Sequence, residues 1–164
     1  MVKKICNILS TLVMVVLALI AAALIVPKFL GYEQFAVLSG SMEPSIHVGA
    51  IVYAKAAEPD TLKNGDIVTY RLGNETRVTH RIVEIDTAAQ TVITKGDAND
   101  AQDASPVLFE NIQGKYAFNI PYLGYISIYA KTPLGIGAVC GILVVVILLN
   151  FLPDALAGEG NSKK

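Results

Sequence analysis

The chain has 164 residues, 53% of them apolar and only 16% charged, with a formal net charge of −1. Soluble domains carry roughly 25% charged residues, so a shortage of charge is what sets this sequence apart. The balance excludes a disordered chain, a fibre and a soluble cytosolic enzyme, and the lack of a basic stripe excludes a nucleic-acid binder.

Residues 1–4 hold Lys3 and Lys4, and residues 5–26 then run without a single Asp, Glu, Lys or Arg. At about 1.5 Å per residue, a helix of that length reaches roughly 33 Å, close to the hydrocarbon thickness of a bilayer. It exceeds the apolar region of a cleavable signal peptide, so it reads as an uncleaved transmembrane helix, although Ala21, Ala22 and Ala23 supply small residues near its end. Residues 27–133 are long enough for one domain with its own core. Residues 134–152 form a second block without charge, and the tail 153–164 ends in Lys163 and Lys164. With lysines at both ends, the positive-inside rule predicts cytoplasmic termini and an extracytoplasmic domain at the cell membrane. Cys6 and Cys140, the only cysteines, fall in the two apolar blocks near opposite faces of the bilayer, too far apart to bridge.

Between the apolar blocks the hydrophobic period is two. Short strands are predicted over residues 35–38, 51–55, 66–71, 77–85, 91–95 and 116–120, separated by turn signals such as Asn64-Gly65 and Gly73-Asn74. No amphipathic stripe lasts three helical turns. The fold class is therefore mainly β, a compact antiparallel domain flanked by an N-terminal and a C-terminal transmembrane helix.

Three polar islands interrupt the strands. Ser39-Gly40-Ser41-Met42-Glu43-Pro44-Ser45 reads either as an ordinary turn or as a nucleophile loop, in which Gly40 admits close backbone approach and Met42 lines a pocket or meets the membrane surface. In Val78-Thr79-His80-Arg81-Ile82, alternation puts His80 on the face of Val78 and Ile82, as a core-edge histidine or as a general base. His47, in a turn, reads as surface. The third island, Lys95 to Asp103, contains Asp97, Asp100 and Asp103. It lacks the glycine and glutamate positions of a calcium loop, and the domain has too few His and Cys for zinc. It is a solvated acidic turn or the source of an acid that orients His80; no metal and no cofactor is expected.

Taken together, these segments resemble the type I signal peptidases, in the endoplasmic-reticulum-type branch that also occurs in archaea and some Gram-positive bacteria. Ser39-Gly40-Ser41-Met42-Glu43-Pro44 is similar to that family's nucleophile box, and Asn64-Gly65-Asp66-Ile67-Val68 to the strand that follows. Val78-Thr79-His80-Arg81-Ile82 resembles the base box, Thr94-Lys95-Gly96-Asp97 with Asp103 the acid box, and Ile120-Pro121-Tyr122-Leu123-Gly124 the last β segment. The resemblance covers residues 35–127.

It implies a membrane-bound serine endopeptidase that cleaves signal peptides from exported preproteins after small residues, with the lipid bilayer and the preproteins as partners. It implies Ser41 as nucleophile, His80 as base in place of the lysine of the main bacterial branch, and Asp103 as the acid. The Ser41 N–H and the Ser39 hydroxyl would form the oxyanion hole. Gln102 stands before Asp103 where many relatives carry adjacent acids, so Asp97 is kept as an alternative acid and Asp100 as a third. The edge of residues 35–38 is the expected place for an extended substrate. A catalytically inactive, membrane-tethered β domain acting as a binding partner is the competing reading. A self-cleaving serine–lysine repressor domain fits less well, because it wants a DNA-binding module. Asn74-Glu75-Thr76 is a glycosylation sequon on the same domain.

Overall fold

The computed structural model describes residues 2–73 and 76–159. Asn74 and Glu75, which carry the expected Gly73-Asn74 turn and the sequon, lie outside the described residues, as does the tail from residue 160. The chain divides into two compact units, one of residues 26–127 and one combining residues 1–25 with 128–164.

The second of these holds most of two long helices, α1 (Val2–Phe29) and α3 (Pro133–Glu159). Both are long and apolar enough to cross a membrane, over Lys3–Phe29 and Pro133–Phe151. Helix α1 ends two residues past Pro27, and Gly31 (φ +82°) just beyond it takes the left-handed conformation that commonly closes a helix. A polar contact links the helices, from Ser10 Oγ to Asn150 Oδ1 at 3.3 Å.

The other unit is a seven-stranded sheet in the order β1-β2-β7-β3-β4-β5-β6. The strands are β1 (Tyr32–Ala36), β2 (Ile51–Lys55), β3 (Ile67–Leu72), β4 (Thr76–Asp86), β5 (Thr91–Lys95), β6 (Val107–Leu108) and β7 (Ile112–Ile120). Every pairing is antiparallel. The fold is thus mainly β with flanking apolar helices. The sheet curls strongly: three strands lie between β1 and β4, yet the Arg77 guanidinium of β4 lies over the Phe35 ring of β1 at 5.9 Å.

Four details depart from the sequence reading. Strand β1 starts and ends earlier than residues 35–38, because Val37 turns to bond the Gly49–Ala50 turn (Val37 N to Ala50 O 2.9 Å, Gly49 N to Val37 O 2.9 Å). Strand β7 starts at Ile112 rather than residue 116. Gly114 looks like a breaker, but it lets β7 approach β2, since a Cβ there would stand 2.9 Å from the Lys55 carbonyl oxygen. Strand β6 has only two residues, too few to show alternation. The segment after Pro121 is not strand but a short helix, α2 (Leu123–Tyr129). It is held by tertiary contacts: Gly124 N donates to Gly49 O at 2.9 Å, and Gly49 (φ +82°) has no room for a side chain beneath the Tyr125 ring.

Two apolar clusters fill the unit. Leu62, Val68, Tyr70, Ile82, Val92, Val107 and Phe109 form one, and Met42, Ile46, Ala50 and Val52 the other. Met42 and Ile46 are 2% and 1% exposed. Burying such side chains stabilises by about 1.5–3 kcal/mol each, which pins the loop between them to the core.

Candidate active site

Ser41 sits in the loop between β1 and β2. The loop is closed at its base by the Val37–Ala50 and Gly49–Val37 bonds, and internally by Glu43 N to Gly40 O (3.0 Å) and Ile46 N to Met42 O (2.9 Å). Glu43 caps it from within, accepting from Val48 N at 3.3 Å and bonding the exposed His47 ring at 2.5 Å. Met42 packs into the core rather than reaching a membrane surface. With the loop so fixed, the Ser41 hydroxyl has little freedom to wander.

His80 occupies the middle of β4, 7% exposed and opposite Val68 of β3. Its Nε2 lies 3.1 Å from Ser41 Oγ and its Nδ1 2.6 Å from Asp103 Oδ2. If the serine hydroxyl donates to Nε2, then Nδ1 carries the ring proton and donates to the carboxylate. The Ser39 and Ser41 hydroxyl oxygens are 3.4 Å apart.

The acidic segment folds back from β5 across both partners. Asp103 N donates to Thr94 O at 2.8 Å, and Ala98 N donates to the Ser41 carbonyl at 2.9 Å. The tightest point is Gly96, where a Cβ would stand 2.6 Å from Ser41 O and 3.0 Å from His80 Nε2. A glycine here is a requirement of close approach, since its backbone is not in the left-handed region.

Of the three carboxylates, Asp103 meets His80. Asp97 does not: it pairs with Arg81 through Nε at 2.8 Å and Nη2 at 2.6 Å. Strand alternation is the reason, because Arg81 and His80 point to opposite faces of β4. Asp100 is exposed. Burial pushes the Asp103 carboxyl up, but hydrogen bonds from His80, Thr94 and Tyr70, with the nearby His80 charge, outweigh it and hold the group below the usual range. Hydrogen bonds from Arg81 hold the Asp97 carboxyl low, against its own burial, with Ser45 adding a further bond.

Thr94 and Tyr70 were not singled out from the sequence as contacts of the acid. The hairpin register holds the signal. Tyr70 pairs with Val78 and Val68 with His80, so Tyr70 shares the inward face of β3–β4 with the imidazole.

A cleft of about 490 Å³ opens beside Ser41. Phe35, Val37 and Ser39 line one wall, Arg77 and Thr79 the other, with Met42 and Ile46 at the floor. Its size is that of a typical ligand site, and it runs along β1, an end strand of the sheet.

A family model described as signal peptidase, peptidase S26, matches residues 8–98, a span that contains Ser41, His80 and Asp97 and stops short of Asp103. The chain is 39% identical over 99 residues to signal peptidase I W of Bacillus subtilis, covering 58% of this chain and 52% of that protein. It is 28% identical over 127 residues to the signal peptidase complex catalytic subunit SEC11C of Homo sapiens, covering 67% and 65%. The SEC11 subunit of Leptosphaeria maculans is 32% identical over 127 residues, covering 70% and 73%. The chain thus spans between half and two-thirds of the length of the first two of these relatives. On these matches the chain belongs to the signal peptidase family, peptidase S26, in its endoplasmic-reticulum-type branch.

Proposed function

We propose that the chain is a membrane-tethered serine endopeptidase that removes signal peptides from exported preproteins, with Ser41 as nucleophile, His80 as general base and Asp103 as its orienting acid. The observation that carries this reading is the 3.1 Å separation of Ser41 Oγ and His80 Nε2, with Asp103 on the far ring nitrogen. A serine hydroxyl needs such a base, and the base needs a partner that fixes its tautomer.

In the reaction, Ser41 Oγ forms a bond to the scissile carbonyl carbon as its proton passes to His80 Nε2. The carbonyl electron pair moves to oxygen, and the Ser41 N–H and the Ser39 hydroxyl donate to that oxyanion. Collapse of the intermediate breaks the C–N bond, and His80 returns its proton to the departing amine of the mature protein. Water, deprotonated by His80, then hydrolyses the Ser41 ester and releases the signal peptide as a carboxylate.

Substrate adds as an extended strand along the edge of β1, with side chains on alternate positions entering the cleft. Met42 and Ile46 make its floor shallow and apolar, which favours small residues at the cleavage point. Helices α1 and α3 span the bilayer as anchors, with both termini in the cytoplasm and the β unit on the extracytoplasmic side. Tethering at both ends confines enzyme and preprotein to one plane and raises their effective concentration.

The test uses the full chain in detergent with a preprotein bearing an A-x-A-type cleavage site. Cleavage by the wild-type chain, its loss in Ser41→Ala, and acylation of Ser41 by a serine-directed inhibitor are expected. A Ser41→Ala chain that still processes the preprotein overturns the assignment. Folded wild-type protein that neither cleaves nor reacts favours the inactive binding domain.

A further inference from the structure

All the polar contacts described on the Asp103 side chain fall on one oxygen. Oδ2 accepts from His80 Nδ1 at 2.6 Å, from Thr94 Oγ1 at 2.6 Å and from the Tyr70 hydroxyl at 3.1 Å. Thr94 Oγ1 also lies 3.2 Å from the Tyr70 hydroxyl. Each hydroxyl has a single proton, and a carboxylate oxygen has about two lone-pair sites. Thr94 therefore gives its proton to Oδ2 at the short distance. Tyr70 gives its own proton to Oδ2, and its oxygen accepts the weaker share of the Thr94 hydroxyl.

The two side chains come from different strands, β3 and β5, on either side of the strand that carries His80. Thr94 is fully buried and Tyr70 is 3% exposed. Thr94 holds Asp103 at two points, through the hydroxyl and through its carbonyl, which accepts from Asp103 N at 2.8 Å. The Tyr70 ring also packs edge-on to the imidazole, with centroids 6.5 Å apart.

We infer that Tyr70 and Thr94 are positioning residues of the hydrolytic site: they fix which carboxylate oxygen of Asp103 faces His80, and they draw off part of its charge. This rests on the peptidase reading above and deepens it. The physical consequence has a sign. Donors to Oδ2 weaken its hold on a protonated imidazole, so removing one strengthens that hold and moves the His80 titration to higher pH. The charged groups around the ring are Asp103 and Asp97, both from the segment after β5, with Arg81 of β4 holding Asp97 on the opposite face. Lys95, next to Thr94 on β5, points away by strand alternation. Burial raises the Tyr70 hydroxyl to about 12, so it remains a donor across the working range.

The experiment compares the full chain in detergent with Tyr70→Phe, Thr94→Val and Thr94→Ser, using preprotein cleavage against pH and an NMR titration of the His80 ring. Tyr70→Phe keeps the ring and removes only the hydroxyl. It is expected to shift both the acid limb of kcat/KM and the ring titration upward by about 0.5 unit. Thr94→Val is expected to lower kcat by about 10–100-fold with KM little changed, and Thr94→Ser to restore it to within roughly threefold. A Tyr70→Phe chain whose titration superimposes on the wild type overturns the inference, as does a Thr94→Val chain with unchanged kcat. The NMR readout does not depend on turnover. A wild-type chain that cleaves nothing while the ring titration still shifts removes the peptidase reading and leaves the clamp standing. A cleaving chain with no shift does the reverse.

Discussion

Gly96→Ala is the most exacting perturbation of the site, because the added methyl has nowhere to go. Its carbon would stand 2.6 Å from the Ser41 carbonyl oxygen, 2.8 Å from Asn99 Nδ2 and 3.0 Å from His80 Nε2. Against the backbone carbonyl it is about 0.8 Å short of ordinary contact, and that carbonyl is itself held by Ala98 N at 2.9 Å. The strain has two outlets. Either the segment after β5 retreats, carrying Asp103 with it, or the Ser41 loop shifts against a core that buries Met42 and Ile46. Overpacking of this kind costs about 1–3 kcal/mol of stability. Either outlet displaces a reacting group by close to 1 Å, for which a loss of about 100-fold in kcat is expected. The assay is steady-state cleavage of a preprotein by the full chain in detergent, alongside thermal unfolding to confirm that the variant is folded. Gly137→Ala, with nothing within 4 Å of the new carbon, serves as the control. A Gly96→Ala chain that folds and turns over within threefold of wild type would show that the contact geometry at this glycine does not set the Ser41–His80 alignment.

Two further outcomes follow from the same geometry. Ser39→Ala is expected to lower kcat by about 10²–10³-fold while leaving KM and the unfolding temperature nearly unchanged, as for loss of an oxyanion donor; a wild-type kcat would remove Ser39 from the reaction. Asp97→Asn breaks the charge-assisted pair with Arg81 and is expected to cost about 1–3 kcal/mol of stability. Because the Asp97 carboxyl is depressed in the folded state, its contribution is fully present above the unfolded value of about 3.9 and disappears as pH falls through the folded value. Thermal unfolding across the acid range should therefore show a shallower decline in Asp97→Asn than in wild type. An identical acid limb would count against the pair as a source of stability.

The broad architecture was legible in the linear chain because its causes are local. Two long stretches without charge suit helices, which satisfy their backbone groups internally, and alternating apolar residues can bury only one face as strands. Hence α1, α3, β2 and β5 fall close to where the pattern put them. Elements that owe their existence to a partner escaped it. Helix α2 has two turns and needs the Gly49–Ala50 carbonyls beneath it, β6 has no periodicity to read, and Gly114 acts as a spacer between strands although glycine commonly ends them. The candidate site divides in the same way. Residue types and motif order singled out Ser41, His80 and a group of acids, but Ser41 and His80 are 39 positions apart and no local rule governs their distance. Which acid meets the imidazole depended on register. One step along β4 exchanges His80 for Arg81 and one face for the other, so Asp97 goes to the guanidinium and the returning chain brings Asp103 to the ring. Chemistry can be inferred from residues in order, whereas the choice among equivalent carboxylates belongs to the pairing of strands in space.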